Sequence, residues 1–147
     1  MQGPTAERFV VINLRLLALS FAVVGILFIA TPNEVLDSIT DFGDSFGDFT
    51  PAPHGSQQLW LGLAFSYMVV IAGICAIAQM DVVRFRPLLL LLAVGKTSSS
   101  LAGLGFYLFD QDVFAYLLNF LVDGSLVLVA LWLWSLIGRV DRAPAPG

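Results

Sequence analysis

Apolar residues form four long runs that are separated by polar segments. The runs cover about residues 9–30, 59–80, 87–109 and 113–137. At a rise of about 1.5 Å per residue, each run is long enough as a helix to cross a hydrocarbon layer of about 30 Å. Because the runs are continuous rather than alternating, they favour helices over the strands of a membrane barrel. The pattern predicts a single membrane domain over residues 1–147, an all-α integral membrane protein built as a bundle of four transmembrane helices.

The segment between the first two runs, residues 31–58, is the one long polar connection. The segment begins with residues that are typical of a helix N-terminus. Thr31 supplies a capping hydroxyl, Pro32 is suited to the first turn, and Glu34 is an acid near the N-terminus. A short apolar face follows, with Val35 and Leu36 at its start. We therefore predict a short helix here that lies along the membrane interface.

Acids and phenylalanines are interleaved in the second half of this segment. These residues are Asp41, Phe42, Asp44, Phe46, Asp48 and Phe49. One interpretation is that the rings rest on the bilayer or on the end of the bundle while the carboxylates face water. The other is that these six residues form a docking surface for a protein partner, or a lid over the outer end of the bundle.

The few basic residues indicate how the runs are oriented. Five of the seven lie in the two tails and in the connection between the second and third runs: Arg8, Arg84, Arg86, Arg139 and Arg142. The other two connections contain acids and neither Lys nor Arg. By the positive-inside rule, both termini are cytoplasmic, in a plasma or inner membrane. Residues 31–58 then form an acidic extracytoplasmic loop.

Composition narrows the classes of function. The chain has 58% hydrophobic and 12% charged residues, with a mean hydropathy of +0.87, which excludes an ordinary soluble enzyme. A net charge of −4 offers no basic surface for nucleic acid. One cysteine, Cys75, and one histidine, His54, cannot form a zinc, haem or copper site by themselves. No metal site is predicted, and the sequence points to no particular cofactor.

Two charged residues lie in the middle of the third and fourth runs. Lys96 and Asp123 are each about ten residues into their run, which at the helical rise per residue is near the bilayer midplane. An isolated charge at that depth costs about 2.5–3.5 kcal/mol, so such charges usually pair inside the bundle. The connection between these runs is very short, which predicts an antiparallel hairpin and an ion pair between Lys96 and Asp123.

Other polar residues of this hairpin match in depth as well. With the same register that aligns the two charges, Ser100 is level with Asn119, and Gly103 is level with Tyr116. On each helix these residues recur at spacings of three, four or seven and so share one face. We predict a polar seam in which Ser99 or Ser100 bonds near Asn119, and Gly103 leaves room for the ring of Tyr116.

Positions in the first two runs also bear on the interior. Tyr67 is near the depth of the charged pair. Arg15 either extends its guanidinium to the headgroups or turns inward and joins the pair. Gly62, Ser66 and Gly73 form a small-residue face that permits a close approach of helices. The candidates for a ligand or ion pathway are thus Lys96, Asp123, Asn119, Ser99, Ser100, Tyr116, Tyr67 and Arg15.

Three functional hypotheses follow. In the first, the chain is a non-enzymatic accessory subunit or binds a lipophilic small molecule, the seam is structural, and a protein partner or a second copy completes the assembly. In the second, an oligomer transports protons or ions, with Lys96 and Asp123 exchanging a proton. In the third, a membrane enzyme acts on a lipid or quinone, with Asp123 as acid or base and Tyr116 or Tyr67 as proton donor. Because no Glu or His lies in any run, no catalytic residue is assigned and an enzyme is disfavoured.

Overall fold

The computed structural model describes residues 3–54 and 58–140, and in that part the chain is all helical apart from its connections. The helices are α1 (Gly3–Ala30), α2 (Pro32–Asp44), α3 (Gln58–Ala78), α4 (Pro87–Phe109) and α5 (Phe114–Val140). Helices α1, α3, α4 and α5 are long and apolar enough to cross a membrane. The predicted all-α class and the four membrane-capable helices are confirmed. Arg142, which helped to orient the chain, lies outside the described residues.

Proline marks the beginning of two of these helices. Pro32 lies in the first turn of α2 and Pro87 in the first turn of α4. The fixed φ of proline suits a helix start, and its missing N–H removes no intrahelical bond there. Residues 110–113 are all that separate α4 from α5, so these two helices form the predicted hairpin.

The four long helices form a ring in the order α1, α3, α4, α5. The most extensive contacts join α1 to α3 and α4 to α5, while α1–α5 and α3–α4 contacts close the ring. Buried apolar side chains fill its centre: Val10, Leu14, Ile71, Cys75, Leu89, Leu92, Ala130, Leu133 and Ile137. Large apolar side chains also cover much of the outer surface, as expected of helices whose surroundings are lipid tails.

The predicted helix after the first run is present as α2. Thr31 is its N-cap residue and Glu34 is in its first turn, both as predicted, but the hydroxyl of Thr31 makes no capping bond. It donates instead to the carbonyl of Leu27 in α1, at 3.3 Å. The N–H of Thr31 also donates to Leu27 O at 2.9 Å, and the N–H of Val35 donates to Thr31 O at 3.1 Å. Thr31 thus forms hydrogen bonds with both helices and is the single residue between them.

The predicted role of the small-residue face of α3 is wrong. No atom lies within 4 Å of a Cβ built at Gly62 or Gly73, and the exposed Ser66 donates its hydroxyl to Gly62 O at 2.8 Å. Helices α1 and α3 approach closely at Gly25 instead, where a Cβ would lie 3.1 Å from Met68 Cβ. The buried residues of α3 are Ile71, Cys75 and Ala78, so a different face of the helix is turned to the core.

Candidate functional site

The centre of the bundle contains one charged residue of α4, Lys96, and one of α5, Asp123. Lys96 Nζ lies 2.9 Å from Asp123 Oδ1, and the two side chains are 1% and 7% exposed. This is the contact expected from their matching depths. A charge withdrawn from solvent to this degree needs a partner, since an unpaired buried charge costs several kcal/mol.

Two aromatic rings from the other helix pair cover the ammonium group. Lys96 Nζ lies 4.2 Å from the centre of the Phe21 ring and 5.2 Å from that of Tyr67. Cation–π contacts of this kind are worth about 2 kcal/mol when they are desolvated. Phe21 belongs to α1 and Tyr67 to α3, so all four long helices contribute a side chain to this centre. Tyr67 was expected near this depth, whereas Phe21 was missed because nothing distinguishes it from its apolar neighbours in sequence.

Hydrogen bonds continue the seam from the pair toward the α4–α5 turn. Asn119 Nδ2 donates to Ser99 O at 2.9 Å and lies 3.4 Å from Ser99 Oγ. Ser100 Oγ donates to Phe120 O at 2.9 Å. These contacts have the register that aligns Lys96 with Asp123, and they place Ser99 beside Asn119 as predicted.

A glycine allows the two backbones to approach, although not for the expected ring. A Cβ at Gly103 would lie 2.8 Å from Asn119 Nδ2 and 2.9 Å from the carbonyl oxygen of Tyr116. The ring of Tyr116 packs instead on Phe106, with ring centres 5.6 Å apart. Gly103 and Tyr116 therefore lie at the same depth, as predicted. The atoms that lie against the glycine, however, belong to the backbone of Tyr116 and to the amide of Asn119. Gly124 of α5, which sequence reasoning missed, has a similar role, since its Cβ would lie 3.2 Å from a serine hydroxyl of α4.

The hydroxyl of Tyr67 is buried and makes no hydrogen bond with any residue of the described part. It lies against Gly95, where a Cβ would be 3.4 Å from the hydroxyl oxygen. Buried polar groups in proteins nearly always have a partner, either protein or water. This oxygen is therefore a buried polar group whose hydrogen bond is not supplied by the described part of the chain.

Arg15 does not join the charged pair. Its side chain is exposed, and Nε donates to Gln79 Oε1 at 2.9 Å. Gln79 directly follows α3, so this bond links α1 to the end of its neighbour. The inward alternative for Arg15 is wrong, because the guanidinium is engaged at the end of the bundle rather than at its centre.

At the α2 end of the bundle, four phenylalanine rings form a cluster that we term the aromatic rim. Phe42, Phe46 and Phe49 surround Phe114 of α5, with ring centres 6.1, 6.2 and 5.0 Å from that of Phe114. Phe42 and Phe46 still expose 55% and 68% of their surface. The rings thus rest on the end of the bundle, as one interpretation held. Phe114, which holds them together, was not singled out by the sequence.

The loop that carries the rim is attached to the α4–α5 turn. The N–H of Thr50 donates to Asp112 O at 3.3 Å, and its hydroxyl donates to Asp112 Oδ1 at 2.5 Å. A Cβ at Gly43 would lie 2.5 Å from the ring of Phe114, so only glycine permits α2 to lie this close to α5. These contacts give the rim a defined position on the bundle.

The acids near the rim are accessible to solvent. Asp41, Asp44 and Asp48 are all exposed. Nearby, His54 Nε2 lies 2.6 Å from Asp37 Oδ1. Within residues 3–54 and 58–140, no three His, Cys, Asp or Glu side chains are grouped so that they could hold a metal ion.

The bundle also has hollows at its two ends. One, of about 500 Å³, lies in the corner between α1 and α2 and is lined by residues such as Leu27, Val35 and Ile39. The other, of about 190 Å³, lies where α4 begins and α5 ends. Neither is lined by Lys96 or Asp123.

No family model, curated protein or solved structure matches this chain.

Proposed function

We propose that this chain is a non-enzymatic accessory subunit of a complex in a plasma or inner membrane. Both termini are cytoplasmic in this proposal, and the face around the aromatic rim docks a protein partner on the other side. The observation that carries the proposal is the rim itself, because Phe42 and Phe46 are held in place by Phe114 and yet remain largely exposed. Ordered, exposed aromatic side chains are typical of interaction sites.

Charge around the rim indicates the chemistry of the partner. Asp41, Asp44 and Asp48 are exposed beside the rings, and no Lys or Arg is present in residues 31–58 or 110–113. A partner segment with basic and apolar side chains is complementary to this face, since opposite charges steer association and exclude wrong partners.

The polar seam serves this function as a rigid support. Phe114 is the first residue of α5. Asp123 and Asn119 of the same helix form hydrogen bonds with α4. A fixed α5 holds the rim in one position, which lowers the ordering cost of docking.

Affinity purification with charge-matched variants tests the proposal. The tagged chain is extracted from its native membranes in mild detergent, and partners present in stoichiometric amount are quantified by mass spectrometry. Asp44→Asn with Asp48→Asn is expected to lower recovery of such a partner about ten-fold, as loss of about 1.4 kcal/mol would. The control, Glu7→Gln with Asp81→Asn, changes the net charge equally at the opposite end of the bundle and is expected to retain the partner.

Two results would contradict the accessory role. One is a wild-type chain that is purified alone under conditions that preserve other membrane complexes. The other is equal recovery of the partner with both double variants, since the acidic face would then contribute nothing to docking.

A second candidate function is proton- or ion-coupled transport by an oligomer. It is favoured by one observation, the buried Tyr67 hydroxyl, which bonds to no residue of the described part and lies near the pair that Lys96 forms with Asp123. In this proposal, a water at that hydroxyl connects the pair to a proton path. Asn119 and residues of a second copy complete the path, and Arg15 lies at its end.

Reconstituted vesicles distinguish this candidate from the first. The wild-type chain is compared with Asp123→Asn and with Tyr67→Phe in vesicles that contain a pH-sensitive dye, under an imposed pH gradient or voltage. Transport predicts flux above that of empty vesicles, which Asp123→Asn abolishes and Tyr67→Phe reduces. The absence of flux from correctly folded wild-type protein would exclude the transporter and leave the accessory role intact.

A further inference from the structure

The hollow at the end of the bundle opposite the aromatic rim is lined by two arginines. Its lining residues are Arg86, Trp134, Ser135, Gly138 and Arg139, around a volume of about 190 Å³. None of the five is acidic. The salt bridges found among residues 3–54 and 58–140 involve neither arginine. The positive charge in this hollow is therefore not neutralised within the described part of the chain.

Arg86 is held in a defined orientation. Its Nε donates to Trp134 O at 3.0 Å, and its guanidinium carbon lies 4.1 Å from the centre of the Trp134 ring. Any side chain at Gly138 would collide with the guanidinium. A guanidinium has five N–H donors, and this contact uses one of them. The remaining donors, on an already ordered side chain, are available to an acceptor in the hollow.

We propose that this hollow binds the phosphate of an anionic phospholipid headgroup. A planar guanidinium matches two phosphate oxygens at once, which makes arginine well suited to phosphate. Ser135 is already engaged, because its hydroxyl donates to Trp132 O at 2.8 Å. The ligand contacts are therefore assigned to Arg86 and Arg139.

The place of the hollow indicates a lipid rather than a soluble anion. It lies at the end of two membrane-capable helices, beside Trp134, and tryptophan is enriched at the level of the headgroups. Basic pockets between membrane helices on the cytoplasmic side are known to bind anionic headgroups. This inference rests on the cytoplasmic orientation in the proposed function but not on the docking role of the rim, which lies at the opposite end of the molecule.

Native mass spectrometry of the full chain in detergent tests the site. The protein is titrated with phosphatidylglycerol or phosphatidylcholine, and retained lipids are counted. Arg139→Gln is expected to weaken retention of phosphatidylglycerol about five-fold, the effect of about 1 kcal/mol for one arginine near a membrane surface. The control is Arg84→Gln, which removes an equal charge at the same end from a side chain that lies over Phe85 and outside the hollow. It is expected to leave retention unchanged, and melting temperatures confirm that both variants are folded.

Three results would overturn the lipid site. Equal losses in Arg139→Gln and Arg84→Gln would show that surface charge in general attracts the lipid. Equal retention of phosphatidylcholine would show that the arginines do not select a net negative headgroup. If inorganic phosphate raised the melting temperature as much as phosphatidylglycerol at the same concentration, the occupant would be a soluble anion.

Discussion

The two antiparallel helix pairs of this bundle are held together by different forces. Helices α4 and α5 share a buried ion pair and interhelical hydrogen bonds, beginning with Lys96 and Asp123. Helices α1 and α3 pack through apolar side chains, and their side-chain hydrogen bond, Arg15 to Gln79, is at one exposed end. In lipid, apolar burial does not favour one helix partner over another, because the tails are as apolar as the side chains. The α4–α5 register is thus set by polar contacts, and that of α1–α3 by shape.

The pairs nevertheless meet at one point. Phe21 from α1 and Tyr67 from α3 cover the ammonium group of Lys96. The ion pair therefore contributes to the contact between the pairs as well as to the seam. Loss of one partner of the ion pair is expected to destabilise the whole bundle, whereas changes at the exposed end of α1–α3 stay local.

The largest effect is expected from breaking the ion pair on one side. Asp123→Leu leaves the Lys96 charge buried without a partner and should lower the free energy of unfolding by about 3–5 kcal/mol. The double variant Lys96→Met with Asp123→Leu removes both charges and should lie within about 1 kcal/mol of the wild type, since apolar replacements of buried pairs are often neutral. Unfolding by steric trapping in one detergent measures both. If the double variant were as unstable as Asp123→Leu, the unpaired charge of Lys96 would not be the cause of the lost stability.

A smaller effect is expected from adding a methyl group at the closest approach of α4 and α5. Gly103→Ala places a Cβ 2.8 Å from Asn119 Nδ2 and 2.9 Å from Tyr116 O. Because a backbone oxygen cannot move alone, the helices must separate, at a cost of about 1–3 kcal/mol. Gly105→Ala is the control on the same helix, since no atom lies within 4 Å of its Cβ position. Thermal melts of the two should differ clearly, and equal melting temperatures would show that the helices accommodate the methyl group.

The smallest effect is expected at the exposed polar contact of α1 and α3. Gln79→Ala removes the acceptor of the Arg15 Nε bond and should change the free energy of unfolding by less than about 0.5 kcal/mol, as exposed substitutions usually do. The same steric-trapping measurement applies. If Gln79→Ala lowered the free energy of unfolding as much as Gly103→Ala, the α1–α3 pair would depend on polar contacts as strongly as the α4–α5 pair does. The two helix pairs would then not be held together by different forces.

The register of α4 and α5 could be predicted because polar residues are rare in these runs. In a mostly apolar helix, each polar side chain needs a partner at its own depth, which a short turn restricts to one alignment. The same reasoning reached Ser99 and Asn119. It did not predict which atoms lie beside Gly103. The depth of a residue in the membrane identifies its neighbour on the other helix, but it does not show whether the ring or the backbone of that neighbour lies against the glycine.

Positions inside uniform apolar stretches could not be predicted in the same way. Phe21 and Phe114 are single rings among many apolar neighbours, and the sequence offers no contrast that marks them. The small residues Gly62 and Gly73 suggested a contact face, but α3 turns the face with Ile71, Cys75 and Ala78 inward instead. Which face of an apolar helix turns to its neighbours is decided by how all the side chains fit together.

The sequence by itself determined the four membrane-capable helices, the helix after Pro32 and the alignment of Lys96 with Asp123. These follow from local composition, from backbone chemistry and from the cost of an unpaired charge in an apolar medium. Only the tertiary structure decided that rings from α1 and α3 cover Lys96, that Arg15 binds Gln79, and that an aromatic rim forms on α5. Those outcomes depend on dispersion contacts and shape among side chains of similar polarity, and a linear pattern of polarity does not encode them.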